Sequence, residues 1–498
     1  MTVNRREFLG ASAAAASAAA FGLSLADRAF AQDTADIRLA QIGFHGQGGG
    51  HIRHNHKNLV ALCDVDEQVL HGMAGRLKER HGYKLDTYTD YRKLLERDDV
   101  DAVSIATPNH IHALIAVAAA QAGKHVYVEK PVSHNIWEGR QMVQAARQNN
   151  RIMQCGTQSR SSQSLKDAVE FVRGGELGKI KYALGTCYKP RQSIGKLNKP
   201  LQIPSTIDYD LWCGPAAKED LYRKQLHYDW HWDSNTGNGD MGNQGIHQMD
   251  IARWFLGENE LAPRTVSIGG RLGYEDAGDT PNTQIVYLDY PTAPLIFETR
   301  GLPRSKEAQS KWGESMDRFR GSRIGVIVQC ERGYVLVPSY VEAIAYDTTG
   351  QEIKRWKVRD DSLGYHIGNF LSAVATQDPS KLNADIQEGH LSSSLCHLGG
   401  ISHQLGSPVR AGEIAEQIKG NELLSTSFDR MASHLRANDV DIDGEPALTL
   451  GLWLELDPKT EQFTGSNADL ATTLRSREKQ REPHVVPDLE RNTVAKAG

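Results

Sequence analysis

From Ile37 to about residue 155 the chain keeps one rhythm, a short apolar strand followed by an amphipathic helix, and this rhythm narrows the fold more than any other feature. "IRLAQIGF", "NLVALCDVD", "AVSIAT" and "HVYVEKP" read as strands, with a helix reaching about Arg80 and another, "HIHALIAVAAAQAGK", ending at Gly123. Strands joined through helices pair in parallel and have both faces covered. The expectation is a doubly wound parallel sheet, a Rossmann domain over 32–155. After "RIMQCGTQSR" the rhythm changes. One helix, "SLKDAVEFVRGG", leads into "KIKYALGTCY", "TVSIGGRLGY", "TQIVYLDY", "RIGVIVQCERGYVLV" and "AIAYDTT", whose alternation predicts a mostly antiparallel sheet in an α+β domain over 156–430. Helical patterns return at 366–376 and 387–405, and 431–498 reads as a C-terminal extension containing the alternating "LTLGLWLEL". The polar stretches 191–206 and 301–322 are long for a compact domain, and such loops often serve as lids or interface elements.

Charge narrows the partners. A net charge of −5 over 498 residues, with the basic residues scattered, offers no footprint for nucleic acid or an anionic membrane, so small molecules are expected. Cysteines 63, 155, 187, 213, 330 and 396 are widely spaced without a CxxC pair, which favours buried thiols over a disulfide framework. At the start, "NRREFLG" sets twin arginines before an Ala/Gly/Ser run and the small residues "AFA" at 29–31. Residues 1–31 therefore read as a twin-arginine export signal with Gln32 as the mature start, which makes the protein periplasmic or exported. No other stretch approaches the roughly 20 apolar residues needed to span a bilayer. Because this route carries folded proteins, a nucleotide would be loaded beforehand and held.

The stretch "GFHGQGGGH" at 43–51 nearly spells a dinucleotide loop. Such a loop uses one glycine for the tight turn, one for close approach to pyrophosphate and one for helix packing; Gly43, His45 and Gly48 stand in those places, so the middle one is broken. Gly46 and Gln47 complete the loop. It follows a strand, and Asp64 closes the next strand, where an acid accepts ribose hydroxyls and repels a 2′-phosphate. NAD is expected, NADP less so. The competing reading is a metal site from His45, His51, His54 and His56, but the spacing matches no zinc pattern and no acid interleaves them, so no metal is expected.

At the end of another strand "EKP" places Lys130 where side chains face the ligand crevice, as a hydrogen-bond donor or acid/base. "ATPNHIH" at 106–112, "AGKHVYVEKP" at 122–131 and, later, "GNGDMGNQGIHQMDIARWFLG" occur in that order. The set resembles the Gfo/Idh/MocA family over about 37–410. The resemblance implies a Rossmann domain followed by a domain whose large open, mostly antiparallel sheet forms a back wall and often an oligomer interface, hence a homodimer or homotetramer. It implies catalytic roles for Lys130 and His247, with Asn243 standing where the family usually has an aspartate four residues before the histidine. Asparagine offers no charge to bias an imidazole, so Lys130 is expected to carry more of the proton transfer. Thr107, Asn109, His112, Glu129, Lys130 and Gln158 join the cofactor side. Arg160, Tyr188, Arg191, His231, Asn243 and His247 are the candidate substrate ligands, with Lys189 and "YDWHWD" nearby.

The activity implied is NAD-dependent oxidation of a secondary alcohol on a sugar, polyol or sugar derivative, with a tightly bound cofactor. Two alternatives stay open: redox-neutral glycoside cleavage by oxidation, elimination and addition, and a non-catalytic sugar-binding relative.

Overall fold

The computed structural model describes Thr34 and residues 36–490 apart from Asp360; the export segment read at 1–31 lies outside the described residues. Six parallel strands, β1 (Leu39–Ile42), β2 (Leu59–Cys63), β3 (Asp86–Tyr88), β4 (Ala102–Ile105), β5 (His125–Val128) and β6 (Met153–Cys155), form the first sheet in the order β3-β2-β1-β4-β5-β6. Every residue of β1, β4 and β5 is buried, as a sheet covered on both faces requires. The strand order reverses between β1 and β4, and ligands of such sheets bind outside the carboxyl ends of the strands at that reversal. The loop after β1, Asp64 after β2, Thr107 after β4 and Glu129–Lys130 after β5 therefore open onto one crevice.

The second sheet has twelve strands among the described residues. Its first eight are β7 (Ile180–Tyr188), β8 (Arg264–Gly270), β9 (Thr283–Leu288), β10 (Leu295–Arg300), β11 (Ile324–Cys330), β12 (Gly333–Ser339), β13 (Glu342–Tyr346) and β14 (Glu352–Lys357); four short strands between Ser407 and Thr464 complete it. Only β7 and β10 pair in parallel. Alternation along β9 explains the layering. Val286 and Leu288 point into a core shared with helices Gln163–Arg173, Ile246–Leu256 and Ile386–Gln404. Ile285 and Tyr287 point the other way, onto helices Ala411–Ile418 and Glu422–Arg436. The large open sheet thus carries helices on both faces, because period-two apolar residues on both faces demand two covers. The expected single strand "LTLGLWLEL" is instead two, Leu448–Leu450 and Leu454–Asp457. Between them Gly451 and Leu452 give their amides to the carbonyls of Ser267 and Ser402. All six cysteines are free and buried.

Candidate active site

The crevice is a cleft of ≈ 530 Å³ lined from both domains. At its nucleotide end, Gly43 turns the chain out of β1 with φ +75°, and a side chain there would press on Thr107 and Ala106. A Cβ on Gly48 would run into the Gly43 carbonyl, so the first and last glycines have the roles a dinucleotide loop gives them. Around Gly46 nothing crowds a side chain. His45, in the place of the middle glycine, stacks on His227 of the second domain, with centroids 4.2 Å apart and planes 15° apart. The broken glycine position has become a contact between domains. Asp64 lies behind the loop, its Oδ2 accepting the Phe44 amide at 3.2 Å and its Oδ1 the Asp66 amide at 3.1 Å. Burial lifts its carboxyl to about 6 against the pull of those amides. Among the described residues the buried Thr107 hydroxyl has no partner. A left-handed glycine turn, a Cβ-free approach, an acid closing β2 and a waiting hydroxyl fit a bound NAD.

The polar stretch after β7 becomes a strap over this end. Glu67 donates its amide to Thr206 O, Asp208 donates its amide to Val65 O, both at 2.9 Å, and the Thr206 hydroxyl donates to Asp66 Oδ1 at 3.1 Å. His227 Nε2 meets Asp66 Oδ2 at 3.0 Å. From the Rossmann side His110 ties in the carbonyls of Trp212 (2.8 Å) and Thr236 (3.2 Å). The strap has its own small core of Ile207, Trp212, Cys213, Leu221 and Leu226, and Leu211, Trp212 and His227 face the cleft.

At the other end, Lys130 reaches from β5 to the second domain, its Nζ donating to Asn243 O at 2.6 Å. That carbonyl is available because Met241–Gly245 forms a wide π-helical turn ahead of helix Ile246–Leu256. Glu129 anchors the lysine from behind. Its Oε1 meets His51 Nε2 at 2.9 Å and accepts from Gln158 Nε2 at 3.2 Å, while its Oε2 accepts the Lys130 amide at 3.1 Å. Burial works to raise this carboxyl, yet the His51 hydrogen bond and charge, with Lys130 and His247, hold it at about 2. Burial lowers the Lys130 ammonium from its usual value, and Lys189 lowers it further against the pull of Glu129. His247 is brought to about 3, by burial and then by Lys130, so it is neutral near pH 7; among the described residues its Nδ1 has no partner. The ring lies 4.9 Å from that of Tyr340. Among the described residues no hydrogen bond joins Asn243 to His247. Asn243 acts on Lys130 through its backbone instead.

The structure brings Gly43, His45, Gly46, Gln47, Asp64, Thr107, His112, Glu129, Lys130, Gln158, His231, Asn243 and His247 to the cleft wall. His112 has both ring nitrogens on backbone carbonyls, those of Thr107 and Pro131 at 2.8 Å, so it spaces two strand-end loops. Five candidates lie elsewhere. Gly48 packs under the turn, and Asn109 Nδ2 donates to Asn238 Oδ1 at 2.5 Å. Arg160 pairs with the buried Asp250 at 2.9 Å, because a carboxylate taken from water needs a counter-charge there. Arg191 is consumed in the same way by Asp240, and the Tyr188 hydroxyl by Glu298 at 2.6 Å. The four histidines of the metal reading diverge: His51 to Ser104 and Glu129, His45 to His227, His54 to Asp361, His56 to Tyr83 and His81. Sequence reasoning missed Tyr340, Gln244, Trp212 and His227, all on the cleft wall. Tyr340 sits in the β12–β13 turn, where no local pattern points to a site.

Residues 38–157 match the Gfo/Idh/MocA oxidoreductase family, NAD-binding Rossmann fold, and 178–299 match the C-terminal alpha/beta domain of the same family. The levoglucosan dehydrogenase of Pseudarthrobacter phenanthrenivorans is 28% identical over 247 residues, 47% of this chain and 56% of that protein. The myo-inositol 2-dehydrogenase of Thermotoga maritima is 26% identical over 240 residues, 48% of this chain and 59% of that protein. The chain thus spans little more than half the length of these curated relatives. A solved levoglucosan dehydrogenase, in complex with NADH and levoglucosan, superposes with a TM-score of 0.52 at 16% identity, covering 73% of this chain and 97% of that one, and so shares its fold.

Proposed function

Because the chain carries the NAD-binding Rossmann domain and the C-terminal α/β domain of the Gfo/Idh/MocA oxidoreductases, we propose that it oxidises a secondary alcohol of a sugar, polyol or sugar derivative with an NAD that it holds tightly. The observation that carries this reading is the meeting of Lys130 and His247, from different domains, in the cleft that also contains the dinucleotide loop and Asp64. NAD, when bound, supplies the hydride acceptor. Gly43, Gly46 and Asp64 would hold it at the ends of β1 and β2, in the cleft that Thr107, Glu129 and Lys130 also line.

The residues around the reacting alcohol do proton work. Neutral His247, with an unpartnered ring nitrogen, orients the hydroxyl by hydrogen bonding. Lys130 takes the hydroxyl proton: burial, and Lys189 with it, lower its ammonium from the usual value and so shift it toward the free amine that can accept that proton. Glu129, ionised and fixed by His51, keeps the lysine at the cleft wall.

Tight holding is supported by the strap: Thr206, Asp208 and His227 are fastened to the loop after β2 on the nucleotide side of the cleft. Export through the twin-arginine route belongs to the same proposal, because Arg5 and Arg6 precede a small-residue run and a held cofactor needs no pool outside the cytoplasm. So does assembly as a homodimer or homotetramer. Native mass spectrometry of the purified protein tests retention and assembly together, and cell fractionation tests export. For activity, the holo-protein is mixed with levoglucosan, myo-inositol and a panel of free sugars and glycosides. Reduction of the bound nicotinamide by a free sugar or polyol is expected. Leaving-group release from glycosides without accumulated NADH would replace oxidation by redox-neutral cleavage, and binding without either reaction would favour a non-catalytic relative.

A further inference from the structure

The sugar end of the cleft carries a charge that the described residues do not balance. Two lysines converge on adjacent residues of the π-helical turn: Lys130 Nζ donates to Asn243 O at 2.6 Å and Lys189 Nζ to Gln244 Oε1 at 3.3 Å. Lys130 has Glu129 beside it, and Arg191 is matched by Asp240. Lys189, half-buried at the end of β7, has only the long contact to a neutral amide, and among the described residues no carboxylate lies within ion-pair distance of it. The position where the family resemblance calls for an aspartate is Asn243, so the acid that would neutralise this corner is missing. The chain as a whole is acidic, with net charge −5, which sets this corner apart from the general surface.

An ammonium bonded only to an amide has gained no counter-charge, and charge-assisted hydrogen bonds to an anion are stronger than those to a neutral acceptor. The surrounding groups suit such an anion. Tyr340 OH accepts from Gln244 Nε2 at 2.6 Å and has its own proton to donate. His231 and His247, both at about 3 because of burial, stay neutral near pH 7 and add no competing charge.

We infer that the substrate is a sugar bearing an anionic group, a carboxylate as in a hexuronate or a phosphate ester, with Lys189 as the residue that receives it and Tyr340 as a second donor. This rests on the oxidoreductase reading for the reaction but not for the binding. Lys189 is a specificity residue: it stands behind Gln244 of the cleft wall and receives the anion there, while Lys130, on the wall itself, meets the alcohol.

Holo-protein is titrated with D-galacturonate, D-glucuronate and D-glucose 6-phosphate, and with the neutral D-galactose, D-glucose, levoglucosan and myo-inositol. Two signals are read, quenching of tryptophan fluorescence for binding and nicotinamide absorbance for oxidation. Acidic sugars should bind and react with KM values at least about tenfold below those of their neutral parents, the value of one charge-assisted hydrogen bond. Comparison of the uronates with the phosphate ester identifies the anion. Lys189→Gln should collapse the ratio between acid and neutral parent toward one, and Lys189→Arg should restore most of it. Equal or tighter binding of the neutral parents, or a Lys189→Gln effect that leaves the ratio intact, would overturn the inference. Charge-selective binding without reduction by any sugar would uphold it and count against the oxidoreductase reading alone.

Discussion

The two ends of the cleft are built on opposite plans. The nucleotide end is a backbone site: Gly43 and Gly48 matter for what they lack, and Asp64 is fixed by the amides of its own neighbourhood. The Lys130 end is a side-chain site, in which Lys130, His247, Gln244 and Tyr340 come from segments up to 210 positions apart in the sequence. The first plan needs a strand, a turn and an acid close in sequence. The second exists only when two domains are held together, and the holding is done by contacts such as Lys130 on Asn243 and the strap on Asp66. The backbone site is vulnerable where a Cβ would collide, at Gly43 and Gly48, whereas the convergent site should fail sharply when any one side chain goes.

The sharpest break is expected from Lys130→Met, which removes the proposed base: turnover should drop by roughly 10²–10⁴-fold while nucleotide stays bound. Single-turnover absorbance and native mass spectrometry check the two halves, and comparable turnover would show that the ends do not divide the work this way. Next comes His51→Ala, which leaves the buried Glu129 carboxylate without its main partner and should destabilise the chain by about 3–5 kcal/mol, read by denaturant unfolding. The sign has a pH signature. A carboxyl held at about 2, below its unfolded value, contributes stability that is present above roughly pH 4.3 and is lost as pH falls toward 2, and the variant should lose that slope.

Smaller effects test the strap and the acid. His227→Ala removes both the stack on His45 and the bond to Asp66, and NAD dissociation measured by exchange against labelled cofactor should quicken by about tenfold. An unchanged rate would mean that the strap shapes the cleft without retaining its contents. The mildest effect concerns Asp64, whose carboxyl is raised to about 6. The ionised form accepts ribose hydroxyls, so NAD affinity should be full above about pH 7 and decline several-fold as pH falls through about 6. Calorimetry across that range checks it, and Asp64→Asn should flatten the profile.

Much of the nucleotide end was legible because its parts are local. Strand periodicity located β1 and β2, the glycine spacing located the turn, and Asp64 followed from its place at a strand end. His45 was legible only as an anomaly, since its partner His227 is 182 positions away. Charged candidates were the least reliable. Arg160 and Arg191 looked available in the sequence, but Asp250 and Asp240 claim them in the interior, and a sequence does not display which buried acid a guanidinium must neutralise.

By itself, then, the sequence determined the parallel sheet, the mostly antiparallel second sheet, the nucleotide loop and the place of Lys130 at a strand end, since each depends on periodicity or on residues adjacent along the chain. Only the tertiary structure decided that Asn243 meets Lys130 through its carbonyl, that a polar loop becomes a strap, that helices 411–436 cover a sheet face, and that Lys189 has no carboxylate at ion-pair distance among the described residues. Those outcomes depend on which groups share a low-dielectric interior once the two domains meet, and such pairing is a property of three-dimensional proximity and desolvation.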